Sequence, residues 1–236
     1  MANPTKYLLI QTSNPAVSTG TITVTPTNTL SGSLILVFVG SSALTDTVST
    51  VTDNANNIYT KAYSIATGTG GNTELWYMTN AQPTTSIVVT FSASVTTKSV
   101  IVREYGGMNQ IFSFDQIKTA SGSGTAVTTG ASPITVNTNE LVVCSCSCLG
   151  TNPTNSVGAG FGNYTSQALL AGLSLHSVED LTASTIATQT GLMTAGGTLP
   201  VWDVGLATFI IDRGKGINFN GYVSTGNGMS RNERAS

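Results

Sequence analysis

The chain has 236 residues, of which nine are Lys or Arg and eleven are Asp or Glu, so its net charge is −2. Charged residues make up 8% of the chain, against about 25% in an average globular protein. Nine scattered basic residues give no electrostatic footprint for nucleic acid, so we expect no nucleic-acid partner. Because 40% of the residues are hydrophobic, the composition is that of a folded chain and excludes a disordered one.

The first residues predict neither a secretory signal nor a membrane anchor. Residues 1–6 lack a basic n-region, and the apolar run at 7–10 is too short for the h-region of a signal peptide. No apolar run approaches the roughly 18 residues of a transmembrane helix, so we expect no membrane insertion. A surface rich in Thr, Ser, Asn and Gly without an export signal favours a virion protein. The alternative is an extracellular or cell-surface protein whose signal has been removed.

Strand patterns follow one another along the chain. Runs of β-branched and aromatic residues occupy 33–40, 74–78, 86–91 and 99–105, and clusters of Asn, Asp and Gly separate them at 53–57, 68–72 and 106–107. Because no window shows sustained helical periodicity, we expect less than about 10% helix. Short strands at this spacing predict an all-β sandwich or barrel.

The second half of the chain repeats features of the first half. Three segments align at offsets of 107, 105 and 105 residues: 32–37 with 139–144, 57–62 with 162–167, and 99–105 with 204–210. We therefore predict two duplicated half-units of about 105 residues, at about 30–118 and 134–213.

The arrangement of these half-units leaves two alternatives. They form one jelly-roll-like β-sandwich over residues 1–213, which we favour because each half has few large aromatic residues for a core, or they form two separate sandwiches. The Gly/Ser/Thr-rich link at 119–133 is either a flexible linker or, with Val127 and residues 134–136, a pair of edge strands.

Residues 214–236 differ from the rest of the chain and are predicted to form a C-terminal arm. The arm has five glycines but keeps apolar residues that a solvated tail would not need. We predict that it packs on a neighbouring subunit, and the alternative is a frayed terminus. The candidate interaction residues are Ile217, Phe219, Tyr222, Val223, Arg231 and Arg234.

Three cysteines alternate with serines in a strand pattern at Cys144, Cys146 and Cys148. In a strand all three point to the same side, about 6.8 Å apart along the chain. That spacing suits neither a disulfide nor a shared zinc ion. We predict small apolar residues on a buried face, without a disulfide or a metal.

No catalytic centre is recognisable, and we predict that the chain is not an enzyme. His176 is the only histidine, lies in a strand pattern, and is predicted to be structural. A glycosidase would need two facing acids, but Glu179 and Asp180 are adjacent and point to opposite sides of a strand. Trp76 lies in an apolar strand and is predicted to belong to the core.

One segment carries oxygen-bearing side chains that could bind a metal ion. Residues 53–57, which begin with Asp53, alternate oxygen ligands as half a calcium loop does, but the distal Glu of an EF-hand is missing. An Asx-rich turn has the same appearance without metal. We expect no cofactor, with calcium at Asp53 as the alternative.

Four segments carry a resemblance: Val-Thr-Asp-Asn-Ala-Asn-Asn-Ile-Tyr-Thr-Lys-Ala at 51–62, Leu-Trp-Tyr at 75–77, Val-Val-Thr-Phe at 88–91 and Glu-Tyr-Gly-Gly at 104–107. Together they resemble a β-sandwich repeat family of bacterial surface proteins and phage structural proteins. The resemblance runs from about residue 30 to 211 and departs at the Cys-Ser-Cys-Ser-Cys strand and in the arm. It implies a fold and a setting, and no activity.

The leading hypothesis is therefore a bacteriophage virion component, such as a capsid decoration, head-fibre or tail-associated protein. Its partners would be other copies of itself and other virion proteins. The second hypothesis is a carbohydrate-binding module or adhesin whose exposed aromatic rings stack on surface glycans. A polysaccharide depolymerase is the third.

Overall fold

The computed structural model describes residues 6–13, 19–42, 47–66, 71–95, 97–170 and 174–212; residues 6–13, 19, 94, 95, 170 and 199 are described by their backbone alone. In these ranges the chain forms fourteen strands. They are β1 (Lys6–Ser13), β2 (Thr19–Val24), β3 (Ser33–Ser41), β4 (Val48–Asp53), β5 (Thr60–Ile65), β6 (Asn72–Ala81), β7 (Ile87–Val95), β8 (Lys98–Tyr105), β9 (Phe114–Ser123), β10 (Ala126–Ile134), β11 (Glu140–Ser156), β12 (Gly162–Leu170), β13 (Ser174–Ala183) and β14 (Thr188–Ile210).

The predicted all-β class is confirmed. Strands account for 73% of the chain, and no helix occurs in the described ranges. The same ranges accordingly contain no helix of the length and hydropathy that crossing a bilayer requires.

The strands form three antiparallel sheets that stack in four layers. The first sheet has the order β2-β7-β4, the second β1-β8-β3-β6-β5, and the third contains β10-β14-β11-β13-β12 with β9 also paired to β14. The second sheet buries one face against the first sheet, through Ile35 and Val37 of β3. Its other face packs on the third sheet, where Leu36 and Phe38 meet Val143 of β11.

The third sheet supplies two layers because β11 and β14 are long and folded over. Residues 201–210 of β14 pair with β9 and with the first half of β11, while residues 188–194 pair with β10. Met193 and Val204, eleven positions apart on β14, therefore pack in one cluster with the three cysteines. Gly197 lies at the fold with a φ of +100°, and a Cβ there would come within 2.7 Å of two backbone oxygens of residues 151 and 152. The bend thus requires glycine.

The strand orders of the two halves correspond. In the first half, a sheet with the order β1-β8-β3-β6-β5 lies beside a sheet with the order β2-β7-β4. In the second half, the strands β9-β14-β11-β13-β12 lie beside a layer made of β10, the first part of β14 and the last part of β11. The three segment pairs aligned in the sequence fall on strands in corresponding positions. The duplication, the jelly-roll description and the domain boundaries stay predictions.

The central strands are buried on both faces. All nine residues of β3, all eight of β8 and the first nine of β11 are buried. This explains why residues 33–40 form a continuous apolar run, whereas a strand with one wet face would alternate. It also explains the alternating Cys-Ser pattern of β11: the cysteines face the outer layer, and Ser145 and Ser147 face the second sheet.

The contact between the second and third sheets is half apolar and half polar. Near the start of β3, the rings of Tyr77, Phe114 and Phe209 pack with centroids 5.3 to 5.8 Å apart. Further along, Thr73 donates to Ser147 (Oγ1–Oγ 2.7 Å) and Tyr63 bonds Ser145 (2.7 Å). The aromatic contacts lie near the start of both β3 and β11, and the polar contacts lie further along both strands. The two strands therefore start at the same end of the molecule.

The link at 119–133 lies almost wholly in β9 and β10, so the flexible-linker alternative is wrong. Of the residues in the edge-strand alternative, Val127 and Ile134 belong to β10, whereas residues 135 and 136 follow it. Trp76 is partly buried and packs against the core between the first two sheets, so the prediction of a core residue holds in part. The C-terminal arm lies outside the described residues.

Candidate functional site

Exposed apolar side chains concentrate at one end of the described structure. Ten large hydrophobic side chains are exposed in the described ranges. Seven of them lie in the loops at the end where β3 and β11 begin, and we call this set the end surface: Leu30, Ile58, Ile111, Phe112, Ile134, Val136 and Ile186. The other three are Ile117, Val157 and Leu192.

Strand register places these loops together. In the first half, Ser33 at the start of β3 pairs with Ala81 at the end of β6, and Leu34 pairs with Tyr105 at the end of β8. In the second half, Glu140 at the start of β11 pairs with Ala183 of β13 and Ile210 of β14. The loops that precede β3 and β11 and follow β8 and β13 therefore open on the same end.

The loop between β8 and β9 connects the second and third sheets at this end. The Asn109 amide donates to the carbonyl of Ile210 (2.9 Å), and the Ile210 amide donates to Ser113 (2.6 Å). The side-chain oxygen of Asn109 accepts the amides of Ile111 (3.0 Å) and Phe112 (2.9 Å). The side chain of Phe112 is 64% exposed although the loop backbone around it is hydrogen-bonded.

A second turn of the end surface is organised by Asp53. Its carboxylate accepts the amides of Ala55 and Asn57 (3.0 Å each), the side-chain amide of Asn57 (2.6 Å) and the hydroxyl of Tyr59 (3.0 Å). Four hydrogen-bond donors thus point at the two carboxylate oxygens of Asp53 that a calcium ion would need. The segment is therefore an Asx turn. The turn presents Ile58, which is 82% exposed.

In the second half, two acids hold the loop before β11. Asp115 accepts the Val136 amide (2.9 Å), and the buried Glu140 accepts the Asn137 amide (2.9 Å). Burial, and to a smaller extent the neighbouring Asp115 carboxyl, raise the pKa of Glu140 to about 7, against hydrogen bonds from Thr208 and Asn137 that lower it. The loop thereby presents Val136 to solvent.

The last part of the end surface is fixed by reciprocal bonds between two loops. The Thr135 amide donates to Ala187 (3.1 Å), and the Ala187 amide donates to the Thr135 hydroxyl oxygen (3.2 Å). Ile134 and Ile186 flank this pair and are 60% and 54% exposed. Across the end surface, then, exposed apolar side chains stand on backbone that is internally hydrogen-bonded.

The only histidine has a serine partner, but the pair is closed from solvent. Ser99 Oγ lies 2.8 Å from Nδ1 of His176, and both residues are 0% exposed, between the second and third sheets. Burial, and to a smaller extent the nearby charge of Arg103, lower the pKa of His176 to about 3. A neutral imidazole packed this way suits a structural role.

The adjacent acids Glu179 and Asp180 point to opposite faces, as predicted. Asp180 accepts Nη1 of Arg103 (2.8 Å) and the hydroxyl of Tyr105 (2.6 Å) from the second sheet. Glu179 faces the outer layer, where it accepts the Gly158 amide (2.8 Å). Burial raises the pKa of Glu179 to about 7, against that hydrogen bond.

Near Gly158 lies a shallow pocket of about 380 Å³. The wall of the pocket is mostly apolar, because it is formed by Val127, Val157, Leu192 and their neighbours. No ionisable side chain lines it, which leaves it without the groups that acid–base chemistry requires.

The cysteines are free and buried on one face, as their spacing predicted. Burial raises the pKa of the Cys148 thiol to about 11 and raises the pKa values of Cys144 and Cys146 well above their ordinary value. Within the described part of the chain, no three His, Cys, Asp or Glu residues are grouped to hold a metal ion.

Aromatic side chains are mostly covered. Among the aromatic side chains that the structure describes, Phe112 alone falls in the exposed class. Trp76 is partly buried, with its indole nitrogen donating to Glu74 (3.1 Å) and the ammonium of Lys61 4.8 Å from its ring centroid. The described rings therefore form no platform of the kind that stacks on sugars.

Comparison with known proteins found no relative of the chain. No protein-family model, curated protein or solved structure was found to match the chain. The resemblance to the β-sandwich repeat family stays a prediction, and the predicted interaction residues of the arm lie outside the described residues.

The end surface was not predicted from the sequence. Its members do not follow strand periodicity, because each lies in a turn or at a strand end. The signal that could have revealed them is an apolar residue inside a cluster of turn residues, such as Ile58 after Asn56-Asn57 or Phe112 after Gly106-Gly107.

Proposed function

We propose that the protein is a non-enzymatic structural subunit that works by contacts with other subunits. The observation that carries this proposal is the end surface, seven exposed apolar side chains gathered at one end and held on hydrogen-bonded loops. Concentrated apolar exposure marks interaction sites on soluble proteins. Each such side chain contributes about 1.5–3 kcal/mol when fully buried.

The arrangement of ionisable groups supports contact over catalysis. Two ion pairs hold charges within the chain: the buried Arg103 pairs with Asp180, and the buried Glu74 pairs with the partly exposed Lys61 (2.9 Å). Ser99 and His176 are buried together without access for a substrate. A largely uncharged surface also repels other copies weakly, which favours assembly.

For the setting, we propose a bacteriophage virion, in a capsid decoration, head-fibre or tail-associated role. Support comes from the composition, which is poor in charge and rich in Thr, Ser and Asn, and from the family resemblance over residues 30–211. A carbohydrate-binding module or adhesin remains the alternative, and a depolymerase ranks below both, since the described acids form no open pair in a cleft.

Light scattering coupled to size exclusion tests the proposal. We expect the full-length protein to form an oligomer and Ile111→Ser or Phe112→Ser to weaken it. The matched control is Ile117→Ser, which removes an exposed isoleucine on β9, outside the end surface. A chain that is monomeric at every concentration, or that loses assembly equally in the Ile117 control, would rule out the end surface as the contact.

A further inference from the structure

The chain leaves the described structure at the end surface itself. The amide of Asp212 donates to the carbonyl of Gly107 (2.8 Å), in the same loop that presents Ile111 and Phe112. Ile211 is bridged to Met108 of that loop. The arm, residues 214–236, therefore starts beside the loop that carries Ile111 and Phe112.

The arm and the rest of the chain carry opposite charge. Residues 214–236 contain three of the nine basic residues (Lys215, Arg231, Arg234) and one of the eleven acidic residues (Glu233), for a net charge of +2. Residues 1–213, with six basic and ten acidic residues, carry −4. Opposite charges steer the arm toward the body of a subunit.

The arm also carries the apolar side chains that an apolar surface would bind. Ile217, Phe219, Tyr222 and Val223 fall within seven residues. An extended chain spans about 3.3–3.6 Å per residue, so Ile217 can lie up to about 18 Å from Asp212. That reach is enough to cross from one subunit's end to another end placed against it.

The usual size of an apolar patch on a monomer indicates that a second element is needed. The largest apolar patch on a typical monomer covers about 300–600 Å², whereas a stable interface buries about 800 Å² per partner. An end surface of ordinary patch size would hold a partner weakly by itself. An arm that adds four large apolar side chains to the contact supplies the missing area.

We infer that two copies of this chain pair end to end, and that each copy docks its arm, residues 214–236, on the end surface of the other. This inference rests on the proposed function and names its partner. The described chain ends at Asp212, at the same end as the docking surface, so a two-fold axis satisfies both arms in one closed contact. A chain that ended at the opposite side would give head-to-tail contacts, which extend into a filament or close into a ring.

The first experiment removes the arm by ending the chain after Arg213. Light scattering over a concentration series gives the dimer dissociation constant of the full-length and shortened proteins. We expect dimers for the full chain and a dissociation constant at least about 100-fold higher for the shortened one, because several apolar contacts are lost. Far-UV circular dichroism verifies that the shortened chain keeps its β-structure.

Point variants keep the test decisive if the shortened chain does not fold. Ile217→Ser with Phe219→Ser removes two apolar side chains of the arm, and the matched control is Asn218→Ser with Asn220→Ser at the alternating polar positions. We expect the first pair to weaken dimers as Phe112→Ser does, and the control to leave them unchanged.

The outcomes separate this inference from the proposed function. If the shortened chain dimerises as tightly as the full chain while Phe112→Ser abolishes dimers, the arm is not the partner and the end surface still assembles. A full-length monomer overturns both, whether its arm is free or bound to its own end surface. Open filaments or larger rings overturn reciprocal pairing and leave assembly standing.

Discussion

Arg103 of β8 and Asp180 of β13 form a buried ion pair that joins the two halves of the molecule, with Nη1 and Oδ2 2.8 Å apart. Nη2 of Arg103 also donates to the carbonyls of Asn163 (2.5 Å) and Val178 (3.0 Å). The guanidinium is 0% exposed, so its charge depends on this set of acceptors. The contact fixes which residues of the second and third sheets face each other.

Asp180→Ala should cost about 3–5 kcal/mol of unfolding free energy, because it leaves the Arg103 guanidinium buried without its carboxylate. Chemical denaturation followed by tryptophan fluorescence measures the change. Lys118→Ala, at an exposed lysine, serves as control and should stay within about 0.5 kcal/mol of the parent. A loss below about 1 kcal/mol for Asp180→Ala would contradict a buried, essential pair.

Glu179→Gln should stabilise the protein at alkaline pH. The folded-state pKa of Glu179 is raised from 4.5 to about 7. The stability that its protonated carboxyl contributes is therefore complete below pH 4.5 and is lost as pH rises through 7. A neutral amide avoids this loss, so the variant should match the parent near pH 4 and exceed it at pH 8 by up to about 3 kcal/mol. Denaturation midpoints at the two pH values test this, and equal stability at pH 8 would refute it.

His176 should stay neutral far below the usual range of histidine. Its folded-state pKa is lowered to about 3, so the stability that it contributes is present above pH 6.5 and is lost as pH falls from there toward 3. Because the chain has one histidine, its ring proton resonances can be followed by NMR without ambiguity. We expect constant shifts from pH 7.5 to 4.5, and a titration near pH 6.5 would show that the ring is solvated.

The three thiols should be protected in the native protein. Burial and the raised pKa values of Cys144, Cys146 and Cys148 leave almost no accessible thiolate at neutral pH. Ellman's reagent should therefore react slowly with the native protein and titrate three thiols after denaturation without reductant. Fewer than three thiols in the denatured sample would indicate a disulfide.

The two tryptophans should differ in their contribution to stability. Trp202 is 6% exposed and donates to the carbonyl of Gly124 (3.1 Å), so Trp202→Ala should cost about 3–5 kcal/mol. Trp76 is only partly buried, and Trp76→Ala should cost about 2–3 kcal/mol, scaled down from the same range. If Trp76→Ala instead left stability intact and abolished glycan binding, the carbohydrate-binding hypothesis would replace assembly.

The fold class and the character of the individual strands follow from local sequence alone. β-branched runs bounded by Asn, Asp and Gly define strands because local backbone preference and side-chain alternation act within a few residues. The same local rule placed Cys144, Cys146 and Cys148 on one face, and put Glu179 and Asp180 on opposite faces.

Three other features follow from long-range packing: which strands are buried on both faces, how β14 folds over at Gly197, and why turns as distant as those of Ile58 and Ile186 open on one end. Each of these depends on contacts between residues that are tens to over a hundred positions apart. The stacking of sheets sets those contacts, and periodicity within a strand cannot report them. The end surface exists because two halves with corresponding strand orders stack face to face with β3 and β11 starting at the same end.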